Sequence, residues 1–321
     1  MTIQWMPAAR SAAFSLFMVL ALASPATSQV AQRVAEVPAL TEGPTVDRDG
    51  NLYFTELREE RIFRLGTDGE MSVYREESRA ANGLVIDQQG RLIACEGGGE
   101  DQPARITRTD LQTGAMEVLV DSYQGGSFTR PNDVTIDGAG RLYFTDPGAG
   151  AVYRIDAPGQ VTRVLAAPDI ARPNGLQIAP DDRTLYIVES GSAPDGLRMI
   201  RAFDLDADGN ASNGRILFDF LGRSADGMSV DVEGNLYISA GLNELAPPGA
   251  VAAARAWTAE ALLTRAGVYV VSPLGALLRF IPIPEDVITN NAFGGPDMRT
   301  LYVTAGRTVF QVRTEIAGLP R

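Results

Sequence analysis

The stretch NDVTIDGAGRLYFTD, Asn132 to Asp146, opens on an amide and alternates apolar and polar residues as far as Ile136. It then turns through Asp137-Gly138-Ala139-Gly140 and resumes as the run Leu142 to Thr145. Period-two patterning on both sides of an Asp/Gly turn reads as a β-hairpin. The same phrase is written five more times: EGPTVDRDGNLYFTE from Glu42, NGLVIDQQGRLIACE from Asn82, NGLQIAPDDRTLYIVE from Asn174, DGMSVDVEGNLYISA from Asp226 and NAFGGPDMRTLYVTA from Asn291. Each gap between openings has room for two further strands, as in RIFRLGTDGEMSVYRE, Arg61 to Glu76.

A four-stranded unit recurring at this period is the signature of a β-propeller blade, and six openings predict six blades. One such sheet cannot cover both of its faces, whereas a closed ring packs each face on a neighbour and leaves only short edges. The alternative is an open solenoid of hairpins, but six is a number at which a ring closes. Two separate domains are excluded because the repeats run from Glu42 to the terminal VFQVRTEIAG. The fold class is therefore all-β: a single six-bladed β-propeller over residues 29–321, with a short helical insertion in the fifth blade. That insertion, NELAPPGAVAAARAWTAEALLTRA at about 243–266, has helical Ala, Leu and Trp spacing after Pro248. Joining the second and third strands of its blade, it should emerge on the face that carries Asp226, as a lid or as a contact surface.

In a propeller the first strand of each blade lines the central channel, so the residue opening it stands at the channel mouth. The six are Glu42, Asn82, Asn132, Asn174, Asp226 and Asn291. All are oxygen donors. Asn and Asp also serve as plain turn residues leading into a strand, but folding alone gives no reason for carboxylates and amides at one register in every blade. Two carboxylates with several amide oxygens suit a hard divalent cation, Ca2+ best, with Mg2+ and Mn2+ as alternatives and Zn2+ less expected without His or Cys.

Composition narrows the chemistry. The 321 residues include no His and no Lys, which excludes a Ser-His-Asp triad, His-ligated zinc, a Schiff base and a P-loop lysine. A metal held by oxygen would replace the missing imidazole by polarising a carbonyl and acidifying water. With 28 basic against 40 acidic residues, a net charge of −12, nucleic-acid and anionic-membrane partners are disfavoured. Residues 1–28, with Arg10, an apolar run from Ala12 to Ala23 and small residues at Ala26 and Ser28, read as a secretory signal. The run is short for a spanning anchor. The mature protein is accordingly expected to be exported, periplasmic or secreted, without stable membrane insertion. The single cysteine, Cys95, lies in a strand-like stretch and reads as a buried, inert thiol. The segment DLDADGNASNGR from Asp204 starts like a calcium loop but carries Arg215 where the closing Glu belongs, and a plain hairpin turn is the favoured reading.

Taken in order, EGP at Glu42, NGL with ACEGG at Asn82, RPND with YFTDP from Arg130 to Pro147, PNGL at Asn174, DGM with DVEGNLY at Asp226, and TNNAFGG near the end resemble the SMP-30/gluconolactonase/regucalcin-like (LRE) family of six-bladed propellers. The resemblance spans most of the mature chain. It implies metal ligation by Glu42, Asn174 and Asp226, with Asn132 as a further candidate ligand. It also implies substrate contacts from Arg130 and Asn132, and a metal-dependent hydrolysis of a small lactone or ester in which Asp226 activates water. Asn82 and Glu96 are further candidates for the substrate side, although the second blade lacks a His often found after this Glu. Hydrolysis of other esters or organophosphates, and a non-catalytic calcium- or sugar-binding propeller, are the competing readings.

Overall fold

Each repeated phrase folds as the two inner strands of a four-stranded antiparallel sheet. The computed structural model describes residues 30–99, 101–191, 197–220, 222, 225–241 and 264–320. The inner strands of blades one to six are Thr41–Val46, Ala81–Ile86, Val134–Ile136, Pro173–Ile178, Ala225–Val230 and Ile288–Gly294. In each blade three further strands pair outward in order. A small hairpin, Ser122–Tyr123 with Gly126–Ser127, links blades two and three.

The sixth blade is closed from the other end of the chain. Gln32–Glu36 pairs antiparallel with Thr308–Arg313 and supplies the outermost strand, so the ring is stapled by residues about as far apart in sequence as the chain allows. Near the channel the closure is reinforced by Thr289, whose hydroxyl donates to the Thr41 carbonyl at 2.8 Å.

The repeated LY of the second strands follows from packing between blades. Leu52, Leu92, Leu142, Leu185, Leu236 and Leu301 are all buried, and each such leucine contributes about 1.5–3 kcal/mol on leaving water. The Asp/Gly turns are built by the Asp side chain. Asp47 Oδ1 accepts the amides of Asp49 and Asn51 at 3.0 and 2.8 Å, and Asp87, Asp137 and Asp231 do the same in their blades. Gly50, at φ 86°, takes a left-handed position that an L side chain resists. The Asp204 segment is likewise a hairpin turn. Asp204 is held by Asn213 and Arg215, and Asp206 by Asn210, so their carboxylates are consumed locally.

The helical insertion expected at about 243–266 falls outside the described residues except for 264–266, and no helix occurs among the described ones. Its two ends are defined: Ala240 pairs with Gly267 and with Ala225, so the segment leaves and rejoins the fifth blade beside Asp226. Residues 1–29 also lie outside the described part. Among the described residues no helix is long and apolar enough to cross a membrane.

Candidate active site

The inner strands share a β-bulge at their entry. Register shifts occur between Glu42 and Thr45, Ala81 and Leu84, Pro173 and Leu176, and Ala225 and Met228. A bulge bends a strand and re-aims the side chain beside it, and here it sits at the opening residue of four blades. Three of the six openers are fixed by explicit pairing. Glu42 lies opposite Thr55, the Asn132 amide donates to the Thr145 carbonyl at 2.9 Å, and in blade six the residue opposite Thr304 is Asn290.

That last pairing shifts the sixth opener by one residue from the sequence expectation. Asn290 stands where Glu42 stands, and Asn291 points into the fifth blade. The Asn291 amide nitrogen donates to the Tyr237 carbonyl and the Ser239 hydroxyl, both at 2.9 Å, and its oxygen accepts the Ser229 hydroxyl. Two adjacent asparagines cannot be assigned from sequence when a bulge decides which one faces the channel.

The residue after the opener is glycine in blades one, two, four and five because the next blade occupies the space of a side chain. A Cβ on Gly43 would overlap the Asn82 carbonyl, on Gly175 the Asp226 carbonyl, and on Gly227 the Asn290 amide. The Gly83 amide donates to the Asn132 carbonyl at 2.7 Å. These contacts join the openers of blades one and two, two and three, four and five, and five and six, so the opening residues adjoin at one end of the channel. Asn82, Asn132, Asn174 and Asp226 are half-buried there, and Glu42 is buried.

Blade three places Asp133 at the position that blades one, two, four and five give to glycine. Asp133 was not singled out by the sequence, although the change from NG to ND marked it. Its Oδ2 accepts from Asn290 Nδ2 at 3.2 Å and its Oδ1 from the Val134 amide at 2.9 Å. Burial raises its pKa to about 6 against these two bonds. Glu42 is raised well above the ordinary range, first by burial and then by the neighbouring charge of Asp226. The Gly43 amide opposes the rise, Asp133 adds to it, and the Asn290 side chain again opposes it. Glu42 thus feels the charges of both Asp226 and Asp133, while the Asn290 side chain hydrogen-bonds Glu42 and Asp133.

Arg130 is exposed, and its side chain runs across Gly97, where an added Cβ would lie 3.1 Å from its Cγ. Glu96 behaves differently from the expectation that it would line the mouth. It is fully buried, receiving Arg75 at 2.6 Å, Arg105 at 2.7 Å and the Thr107 hydroxyl at 2.7 Å. Cys95 is buried and its thiol is pushed well up by burial, as expected of an inert core residue. A cavity of about 500 Å³ continues the channel beyond Asp133, Asn290 and Asn291, past Thr135, Gln177 and Ser229, to the opposite mouth at Asp47 and Asp87.

Residues 40–307 match the SMP-30/Gluconolactonase/LRE-like region. A gluconolactonase of Zymomonas mobilis is 27% identical, the match covering 87% of this chain and 79% of that one. A pentonolactonase of Haloferax volcanii is also 27% identical, over 83% of this chain and 81% of the other. In structure the chain is similar to a gluconolactonase of Xanthomonas campestris, with a TM-score of 0.71 at 26% identity, covering 89% of this chain and 91% of that one. With the repeat, the ring and the family match in agreement, the chain belongs to the SMP-30/gluconolactonase/LRE-like family.

Proposed function

We propose that the protein is a metal-dependent hydrolase of small sugar lactones. The observation that carries this reading is the ring of oxygen donors at one channel end, in which Glu42 and Asp226 lie close enough for one charge to raise the pKa of the other. Relatives named as gluconolactonase, pentonolactonase and 6-deoxy-6-sulfogluconolactonase have a sugar lactone in common, which supports the substrate class.

The donor set fits a hard cation. The openers offer carboxylates at Glu42 and Asp226 with amide oxygens at Asn132 and Asn174, a mixed set that suits Ca2+ ahead of softer metals. Glu42, Asn174 and Asp226 would hold it, with Asn132 as a further ligand. Carboxylates buried against one another are costly without a counter-charge, and a divalent ion relieves that repulsion. When bound, the ion supplies polarisation of the lactone carbonyl and stabilisation of developing negative charge.

The rest is done by the chain's own groups. Asp226 orients the attacking water through a carboxylate oxygen and accepts its proton. Arg130, exposed at the mouth, and Asn132 and Asn82, half-buried beside it, donate hydrogen bonds to the substrate's hydroxyl and ring oxygens and fix its approach. Glu96 takes no part in binding: it is taken up in the fold, holding Arg75 and Arg105 together at the second blade. Export under a cleaved leader at residues 1–28 completes the proposal.

Acid release from glucono-1,5-lactone and a panel of aldonolactones tests it. Chelator-stripped protein is assayed before and after restoring Ca2+, Mg2+, Mn2+ or Zn2+. Turnover on at least one lactone, dependent on a restored cation, is the expected result. Activity confined to organophosphates or open-chain esters would overturn the substrate class.

A further inference from the structure

Three of the six second strands end on a fully buried acid, Glu56, Glu96 and Asp146, a fourth carries the fully buried Glu189 one residue before its end at Ser190, and the other two end on Ala240 and Ala305. The four are used differently. Glu56 caps the turn that follows it, accepting the amides of Arg58 and Glu59 at 3.0 and 3.1 Å, and Glu96 binds two arginines. Asp146, which also accepts the Ala149 amide of its following turn at 3.3 Å, and Glu189 reach back to the segments that enter their own inner strands. Asp146 accepts the Thr129 amide at 2.7 Å and the Arg130 amide at 3.0 Å. Glu189 accepts the Ala171 amide at 3.0 Å and the Arg172 amide at 2.8 Å.

Those segments are the two Arg-Pro-Asn phrases. Pro131 and Pro173 have no N–H and a fixed φ, so the two amides ahead of each proline are the donors through which the entry can be held. In blade three the Asn132 amide is then taken by the Thr145 carbonyl, leaving no backbone donor untied from Thr129 to Asn132. In blade four the Arg172 carbonyl accepts the Ser190 amide at 3.0 Å. A carboxylate suits this task because both oxygens only accept. An amide in its place turns an NH2 towards one of the N–H groups and loses that bond.

We propose that Asp146 and Glu189 are positioning residues with divided duties. Asp146 sets Arg130 and Asn132 against the substrate, and Glu189 sets Asn174 as a cation ligand. The inference rests on the lactonase reading above.

The isosteric variants Asp146→Asn and Glu189→Gln test it in the full chain, with three readouts: backbone amide exchange, Ca2+ affinity by calorimetry, and steady-state kinetics. Loss of an outer-shell partner costs about tenfold or more in affinity or activity. Asp146→Asn should therefore raise KM by about tenfold and, because it moves only the further ligand Asn132, weaken Ca2+ binding much less than Glu189→Gln does. Glu189→Gln should raise the Ca2+ Kd by about tenfold, with turnover recovered at saturating Ca2+. Faster exchange should be confined to 129–132 in the first variant and to 171–174 in the second. Should either fail to fold, Asp146→Glu and Glu189→Asp, which keep the charge and alter the reach, carry the same readouts. Equal losses of Tm with wild-type KM and Kd would show a purely structural role and overturn the inference. So would a calcium defect in Asp146→Asn as large as that in Glu189→Gln. Wild-type protein that binds no Ca2+ and opens no lactone would refute the lactonase reading itself, and this inference with it.

Discussion

Asp133→Asn should reverse its effect on stability with pH. The Asp133 carboxyl is buried beside Asn290, and its pKa rises from 3.8 to about 6. A raised acid favours the protonated form in the folded state. Its contribution to stability is fully present below the unfolded pKa, near 4, and is lost as pH rises through about 6. The loss is about 2 pKa units at 1.36 kcal/mol each, or about 3 kcal/mol. Replacement by Asn removes that penalty. The new NH2, facing Asn290 Nδ2, sacrifices one hydrogen bond at a cost of about 1 kcal/mol.

Chelator-treated Asp133→Asn should therefore be more stable than wild type by about 2 kcal/mol at pH 8 and less stable by about 1 kcal/mol at pH 4. Urea denaturation at the two pH values, compared at equal m, reads both signs. Saturating Ca2+ should shrink the advantage at pH 8, because the cation already screens the acid. A variant equally stable with wild type at both pH values, or destabilised at both, would refute the reading of Asp133 as a charged group held at a cost.

The two neighbouring asparagines should separate cleanly. Asn291→Ala removes the hydrogen bonds that Asn291 makes with Ser229, Ser239 and the Tyr237 carbonyl and should cost about 2–3 kcal/mol in a urea melt, with Ca2+ affinity unchanged. Asn290→Ala should raise the pKa of Glu42 further and alter Ca2+ affinity, measured by calorimetry. Glu96→Gln removes the charge shared by Arg75 and Arg105 and should destabilise the fold by about 3 kcal/mol, with KM unchanged in the folded protein. Deleting residues 30–36 strips the last strand from blade six and exposes the Thr308–Arg313 edge. Light scattering should then show association.

The hairpins were legible because each is written in one contiguous phrase, with its turn chemistry supplied by an Asp and a Gly inside it. The place of the opener was legible for the same reason in every blade but the sixth: it sits at a fixed position in the phrase. What stayed hidden depends on partners distant in the chain. The closing strand Gln32–Glu36 is only five residues long and pairs with Thr308–Arg313. Glu96 looks like a mouth residue until Arg75 and Arg105 fold over it. Asn291 looks like an opener until the bulge puts Asn290 there instead. Asp146 and Glu189 were not singled out in the sequence, because nothing there shows that their oxygens turn back onto the Arg-Pro-Asn entries.

Asp226 is where ligation and water activation meet in this account, so one comparison tests it most directly: acid release from glucono-1,5-lactone by wild-type protein and by Asp226→Ala, each stripped of metal and then given Ca2+. Wild type should be inactive when stripped and active when restored, while Asp226→Ala stays inactive in both conditions. Full turnover by Asp226→Ala, or wild-type turnover indifferent to removal of the cation, would contradict the central claim.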